Sequence, residues 1–224
     1  MKTVVVGGHS RNIGKTSVMA GLIRDMRLLD WTAVKITQYG HGICSQDGAP
    51  CDCAPEEHAF MLTEEKDPTG RADTCRFLAA GAKRSLWLRA RQGQLAESLP
   101  FLERALAQDD WVMFESNSIL NFIKPSLYLV VLDSHQTDFK PSALEFLDHA
   151  DALVPIESRM DGSAWPAIGP LVFAGKPLFP VAARDYFSPD LCRFVREKLL
   201  TPQGNPRGEA ENRSVQEKEL PCQH

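Results

Sequence analysis

The sequence predicts a three-layer α/β domain: a largely parallel sheet covered by helices on both faces. Two features of the chain predict it. Short continuous apolar runs alternate with segments of helical periodicity, as expected of strands buried on both faces and joined by crossover helices. The first such run leads through a glycine-bearing loop into a helix that opens on Gly14-Lys15-Thr16-Ser17. At 224 residues the chain is long enough to bury one substantial core.

The elements follow in order. Residues 3–6 are β-branched and continuous, and Gly7 and Gly8 end that strand. In the next segment Val18, Met19, Leu22 and Ile23 are apolar, while Arg24 and Arg27 are polar, which predicts an amphipathic helix. Residues 32–37 read as a second strand. Residues 38–70 are rich in Gly, Pro, Asp and Cys and too long for an ordinary connection, so they read as an insertion. A helix over 73–82 is predicted, with Asp73 as its N-cap and Gly81 near its end. Strands at 85–88, 111–115 and 127–133 and helices at 94–107 and 141–149 come next, the last with a proline at its start. Strands at 152–156 and 177–181 and a helix at 189–200 complete a single domain over residues 1–200. Residues 201–224 are polar and read as a disordered tail.

Composition removes some function classes. A net charge of −4 gives no electrostatic case for nucleic acid or an anionic membrane surface. No apolar run reaches transmembrane length, and the chain enters a strand without a signal peptide, so a cytoplasmic protein is expected. The six cysteines then read as reduced thiols or metal ligands rather than disulfides.

The loop after the first strand carries the strongest chemistry. Free backbone N–H groups and the positive end of a helix dipole make an anion site, to which Lys15 adds a full charge. The Thr16 hydroxyl beside it suits Mg²⁺. With Gly8, His9, Ser10, Arg11, Asn12, Ile13, Gly14 and Ser17, these residues form the candidate phosphate-binding loop G-x-x-x-x-G-K-[ST]. His9 stands where that pattern has its first glycine, and Gly8 is one residue early. Such a loop works with a carboxylate at the end of another buried strand. Glu115 is the first candidate and Asp133 the second; one of the two is expected only to cap a helix or meet a basic residue. Lys35, in the second strand, also lies on the side of the sheet where ligands bind.

Over roughly residues 1–135 the loop "GGHSRNIGKTS", the strand "AVKIT", the segment "DTCRFLAAGA" and the strand "WVMFES" resemble, in content and order, the molybdopterin-guanine dinucleotide biosynthesis adaptor proteins MobB. They are also similar to the wider P-loop class with dethiobiotin synthetase and the Mrp/MinD-type ATPases. The resemblance implies a three-layer P-loop NTPase fold and Mg²⁺-dependent use of ATP or GTP. It places Lys15 and Thr16 on phosphate and Mg²⁺, Lys35 facing the nucleotide or a substrate anion, Asp73 at the start of the helix after the variable loop, and Glu115 as the acidic residue closing its strand. Ser116 follows Glu115 where the family has Gly, and the guanine-reading N-K-x-D is only loosely mimicked by residues 158–161.

Cys44, Cys51 and Cys53 lie within ten residues of a Gly/Pro-rich stretch flanked by His41 and His58, and Cys75 follows in the next helix. Thiolates and imidazoles suit zinc, and four thiolates suit an iron–sulfur cluster. The candidate ligand set is Cys44, Cys51, Cys53 and Cys75, a histidine being able to replace one; the other reading is ordinary free thiols. Cys192 is expected in the core. Taken together, the expectation is a P-loop NTPase that assists cofactor or metallocentre maturation, with a partner protein of that pathway and a homodimer by analogy. The alternatives are an ATP-dependent small-molecule kinase or ligase and a non-hydrolysing nucleotide- or metal-responsive adaptor.

Overall fold

The computed structural model describes residues 1–40, 59–157, 165 and 173–201. His41, His58, Cys44, Cys51, Cys53, Cys222, residues 158–161 and the segment 202–224 lie outside the described residues.

Strands β1 (Lys2–Gly8), β2 (Thr32–Tyr39), β3 (Phe60–Glu65), β4 (Arg84–Arg91), β5 (Trp111–Glu115), β6 (Leu127–Leu132) and β7 (Ala152–Pro155) form a seven-stranded sheet in the order β3-β4-β2-β5-β1-β6-β7. All neighbouring strands run parallel except β3, which is antiparallel to β4. The parallel strands are continuously apolar because both faces are covered. In β1, Val4 and Val6 join one core and Val5 the other. The first core lies under α1 (Lys15–Asp25), α2 (Asp73–Ala79) and α5 (Pro189–Leu200), the second under α3 (Leu95–Leu106). The predicted three-layer α/β class is the observed one.

Register positions the site. Lys35 of β2 stands opposite Glu115 of β5, and Val6 of β1 is the other neighbour of Glu115. Both residues share strand parity with Ala33 and Met113, so both side chains go to the face under α1 and α2. Helix α1 has no side-chain N-cap. Its start is held instead by Val18, Met19, Leu22 and Ile23, all buried. Their burial contributes roughly 6–12 kcal/mol as an upper bound, more than the ~1 kcal/mol of a cap.

Several predicted elements change. The insertion at 38–70 begins and ends in structure: β2 runs on to Tyr39, and β3 occupies Phe60–Glu65. As a half-exposed edge strand, β3 carries polar residues that hide it among loop composition. The N-cap of α2 is Ala72, not Asp73; Asp73 sits in the first turn and gives its carboxylate to Lys35. The helix predicted at 141–149 is α4 (Pro141–Leu144) followed by a separate 3₁₀ turn, Leu147–His149, because Phe146 leaves helical geometry at φ −110° and ψ 2°. The strand predicted at 177–181 is reduced to bridges from Leu178 to Leu153 and from Val181 to Ile156. Pro177 and Pro180 have no N–H to extend that ladder. Cys192 is buried in α5, as expected of a core residue. No described helix is long and apolar enough to cross a membrane.

Candidate phosphate-binding site

The loop between β1 and α1 is shaped by three residues. Asn12 takes a positive φ of 54° and Gly14 one of 87°, left-handed turns of the kind from which backbone N–H groups build anion-binding concavities. Between them Ile13 is buried and anchors the loop to the core. At Gly8 a Cβ would lie 2.9 Å from both the Ile13 tip and the Lys15 stem, so the close approach of these two side chains requires glycine there. The Lys15 ammonium is folded back over the loop and donates to the Ser10 carbonyl at 2.6 Å. Burial holds Lys15 below the usual lysine range, with Glu115 opposing that shift.

His9 does not line this concavity with its ring. Nε2 accepts from the Asp133 amide at 3.0 Å, and Nδ1 lies 2.9 Å from the Asp138 carbonyl oxygen. Since an amide can only donate and a carbonyl only accept, the ring is the neutral Nδ1–H tautomer. Burial lowers its pKa in the same sense. The ring packs against Phe139 and Trp165, at 5.1 and 4.9 Å between centroids. The backbone of His9 is also engaged, its N–H with Val131 and its carbonyl with Lys140. The predicted phosphate contact of His9 therefore becomes a structural role: it ties the loop to residues 133–140. Ser10 does the same, its hydroxyl donating to Asp138 at 2.6 Å.

Beyond the loop, six side chains close a ring. The Thr16 hydroxyl donates to Glu115 Oε2 at 2.8 Å. Lys35 Nζ lies 3.7 Å from Glu115 Oε1 and is bonded to Asp73 Oδ2. Asp73 meets Arg76 at 3.5 Å, and Arg76 donates to the Ser17 hydroxyl at 2.7 Å, which returns to the start of α1. A hydroxyl and two carboxylates facing one side of the loop are hard oxygen donors of the kind Mg²⁺ takes. Asp133 instead turns its carboxylate to the amide and ring of its neighbour His135, at 3.0 Å each. Of the two predicted carboxylates, Glu115 is the one at the loop.

Four residues at the site were missed from sequence. Asn117 donates to and accepts from the Gly8 backbone, at 2.9 Å each. The Tyr186 ring lies on Gly14, 2.1 Å from where a Cβ would stand. Arg76 closes the ring of contacts. Lys140 is pushed down to about 7, first by burial and then by Lys15 and Arg11. Only Asn117 carried a signal, its place two residues past a strand-ending Glu. The others come together through topology.

Of the four candidate thiols, only Cys75 is described. It is buried, and its thiol donates to Glu65 Oε2 at 3.2 Å. Burial and that carboxylate raise its pKa. Among the described residues no three His, Cys, Asp or Glu side chains cluster as metal ligands.

The sheet order, with the Gly-Lys-Thr loop joining central strand β1 to α1, is the three-layer P-loop NTPase fold. No protein-family model and no curated protein matches the chain. Solved structures do. HypB from Archaeoglobus fulgidus, a hydrogenase maturation factor, aligns with a TM-score of 0.50 at 12% identity, over 88% of this chain and 90% of its own. HypB from Helicobacter pylori, in complex with nickel, aligns with a TM-score of 0.44 at 15% identity, over 87% of this chain and 86% of its own. LpxK from Aquifex aeolicus, in complex with ATP, aligns with a TM-score of 0.43 at 16% identity, over 80% of this chain and 53% of its own.

Proposed function

We propose that the chain binds a nucleoside triphosphate, ATP or GTP, with Mg²⁺, and hydrolyses it in the service of cofactor or metallocentre maturation. The observation that carries this is the bond from Thr16 to Glu115, made immediately after a Lys folded over a positive-φ loop. The loop amides and the Lys15 ammonium, released from Ser10, would hold the β- and γ-phosphates. Thr16 and Glu115 would hold Mg²⁺, which when bound neutralises charge on the transferring phosphoryl group. Glu115 would also orient the attacking water, and Lys35 would face the γ-phosphate. In-line attack by water needs little more than this positioning and charge.

The maturation role is a finer step. A hydrogenase maturation factor with the same fold supports it, as does the resemblance to MobB. A zinc ion or iron–sulfur cluster on Cys44, Cys51, Cys53 and Cys75, a maturation partner protein and a homodimer over the nucleotide belong to the same reading. A histidine, His41 or His58, could replace one of these four ligands.

Titration calorimetry with ATP and GTP tests the core of the proposal. The wild type is expected to bind one of them in the micromolar range with Mg²⁺, and Lys15→Ala to lose that binding. Glu115→Gln is expected to keep nucleotide and lose turnover by about 10²-fold or more. A wild-type chain that binds neither nucleotide overturns the function. Metal and acid-labile sulfide analysis of anaerobically purified protein, beside Cys51→Ser/Cys53→Ser, tests the thiol site separately.

A further inference from the structure

Lys35 occupies an unusual place. Its ammonium sits between Asp73 Oδ2, to which it is bonded, and Glu115 Oε1 at 3.7 Å, while the other oxygen of that Glu115 carboxylate holds the Thr16 hydroxyl at 2.8 Å. Two carboxylates from two elements, β5 and α2, thus flank the ammonium, and the Thr16 hydroxyl of α1 is tied to the far oxygen of one of them. Glu115 is 7% exposed, so its negative charge is largely withdrawn from water and requires a counter-cation in every state of the protein. The oxygens are those a hard divalent ion selects, and an ammonium is a compact cation of one charge on a flexible four-carbon stem.

We propose that Lys35 is a tethered counter-cation for the divalent metal site, holding Thr16, Glu115 and Asp73 in place before metal arrives and giving way when a metal–nucleotide complex enters. The proposal rests on the nucleotide reading above and deepens it in one respect: Lys35 becomes the group that makes metal binding at these donors depend on nucleotide. With Lys35 between them, Arg76 on Asp73 and Lys15 beside Glu115, the two carboxylates leave no net negative charge to hold a divalent ion against its hydration, and removing the Lys35 charge tips that balance toward the metal. Once displaced, the ammonium has an anion to move to, because the phosphates that bring the metal enter beside it. Lys15 already lies close enough for the two cations to repel. Arg76 then holds Asp73 from the other side, which keeps that carboxylate in position when Lys35 leaves.

The test uses Mn²⁺ alone, without nucleotide, read by the loss of its free electron paramagnetic resonance signal on binding. Removing the tethered charge should create a metal site that needs no nucleotide. Lys35→Met is expected to bind one Mn²⁺ at least about tenfold more tightly than the wild type. Lys35→Met/Asp73→Asn is expected to lose that gain. Lys35→Gln, which keeps a polar group and so guards against misfolding of the Met variant, is expected to behave like Lys35→Met. Mn²⁺ affinity in both single variants equal to that of the wild type overturns the proposal, as does a gain that survives Asp73→Asn. Because the measurement contains no nucleotide, it is separate from the function above. A wild-type chain that binds neither ATP nor GTP defeats that function, whereas unchanged Mn²⁺ affinity defeats only the role of Lys35.

Discussion

The side-chain amide of Asn117 bonds both polar backbone atoms of Gly8, accepting from its N–H and donating to its carbonyl, each at 2.9 Å. Strand β5 ends at Glu115, opposite Val6, so β1 continues past the end of its neighbour. The Asn117 amide imitates the missing peptide rung and holds the last residue of β1 where the loop begins. Asn117→Ala leaves two buried backbone groups without that partner and is expected to destabilise the fold by about 1–3 kcal/mol. Asn117→Asp keeps an acceptor for the Gly8 N–H but puts a carboxylate against its carbonyl, so it should not restore the wild type. Urea denaturation of the three proteins decides this. Equal midpoints would show that the amide is dispensable.

His9 stands where the phosphate-loop pattern has a glycine, yet restoring glycine should not improve the protein. The ring fills the space between Phe139, Trp165 and the 133–138 segment and makes two hydrogen bonds there. His9→Gly is expected to cost about 2–5 kcal/mol, the range for emptying a large buried side chain.

The same ring sets a pH dependence. Its folded-state pKa lies below 6.5, so the unfolded chain takes up the proton first as the solution is acidified. Stability should therefore fall as pH drops below about 6.5. His9→Gln, which keeps a polar side chain without the titration, should lose that component. Melting temperatures of both proteins at pH 5 and pH 7 give the comparison; parallel profiles would exclude His9 as the titrating group.

Much of this was legible because strand periodicity and the Gly-Lys-Thr loop are local. Trp111–Glu115 and Pro189–Leu200 come out with the bounds expected from the sequence. Two kinds of feature were not legible. Edge strand β3 reads as loop because an exposed face tolerates the polar residues Thr63, Glu64 and Glu65. The ring through Asp73, Arg76 and Ser17 and the packing of Tyr186 on Gly14 depend on which helix covers which strand, and spacing along the chain does not encode that. His9 shows the converse: a motif position was recognised, but the side chain there serves the fold.

Gly14 carries two separable constraints. Its φ of 87° strains any L side chain, and a Cβ would also lie 2.1 Å from the Tyr186 ring. Gly14→Ala should therefore lose more than the ~1–2 kcal/mol of a left-handed backbone alone. Tyr186→Ala added to it should return the steric part and leave the backbone part. A double-mutant cycle is expected to show a coupling of about 0.5–3 kcal/mol. Additive effects would mean that Tyr186 moves aside freely.

Lys140 makes the site sensitive to protons near neutrality. Burial, together with Lys15 and Arg11, pushes its pKa down to about 7 from 10.5, while Asp138 opposes the shift. Between those two values the unfolded chain holds more protons than the folded one, so stability should rise with pH through that window. Lys140→Met should flatten the rise. A phosphate-bearing ligand adds negative charge beside Lys15 and Arg11, the neighbours that depress Lys140, and so must raise its pKa. Nucleotide binding at pH 8 is therefore expected to take up about half a proton to one proton. Calorimetry in Tris and in HEPES, whose ionisation enthalpies differ, measures that uptake directly. Lys140→Met should abolish most of it while retaining nucleotide. A buffer-independent enthalpy in the wild type would place Lys140 outside the field of the bound phosphates, and the cation that answers the nucleotide would then be Lys15 alone.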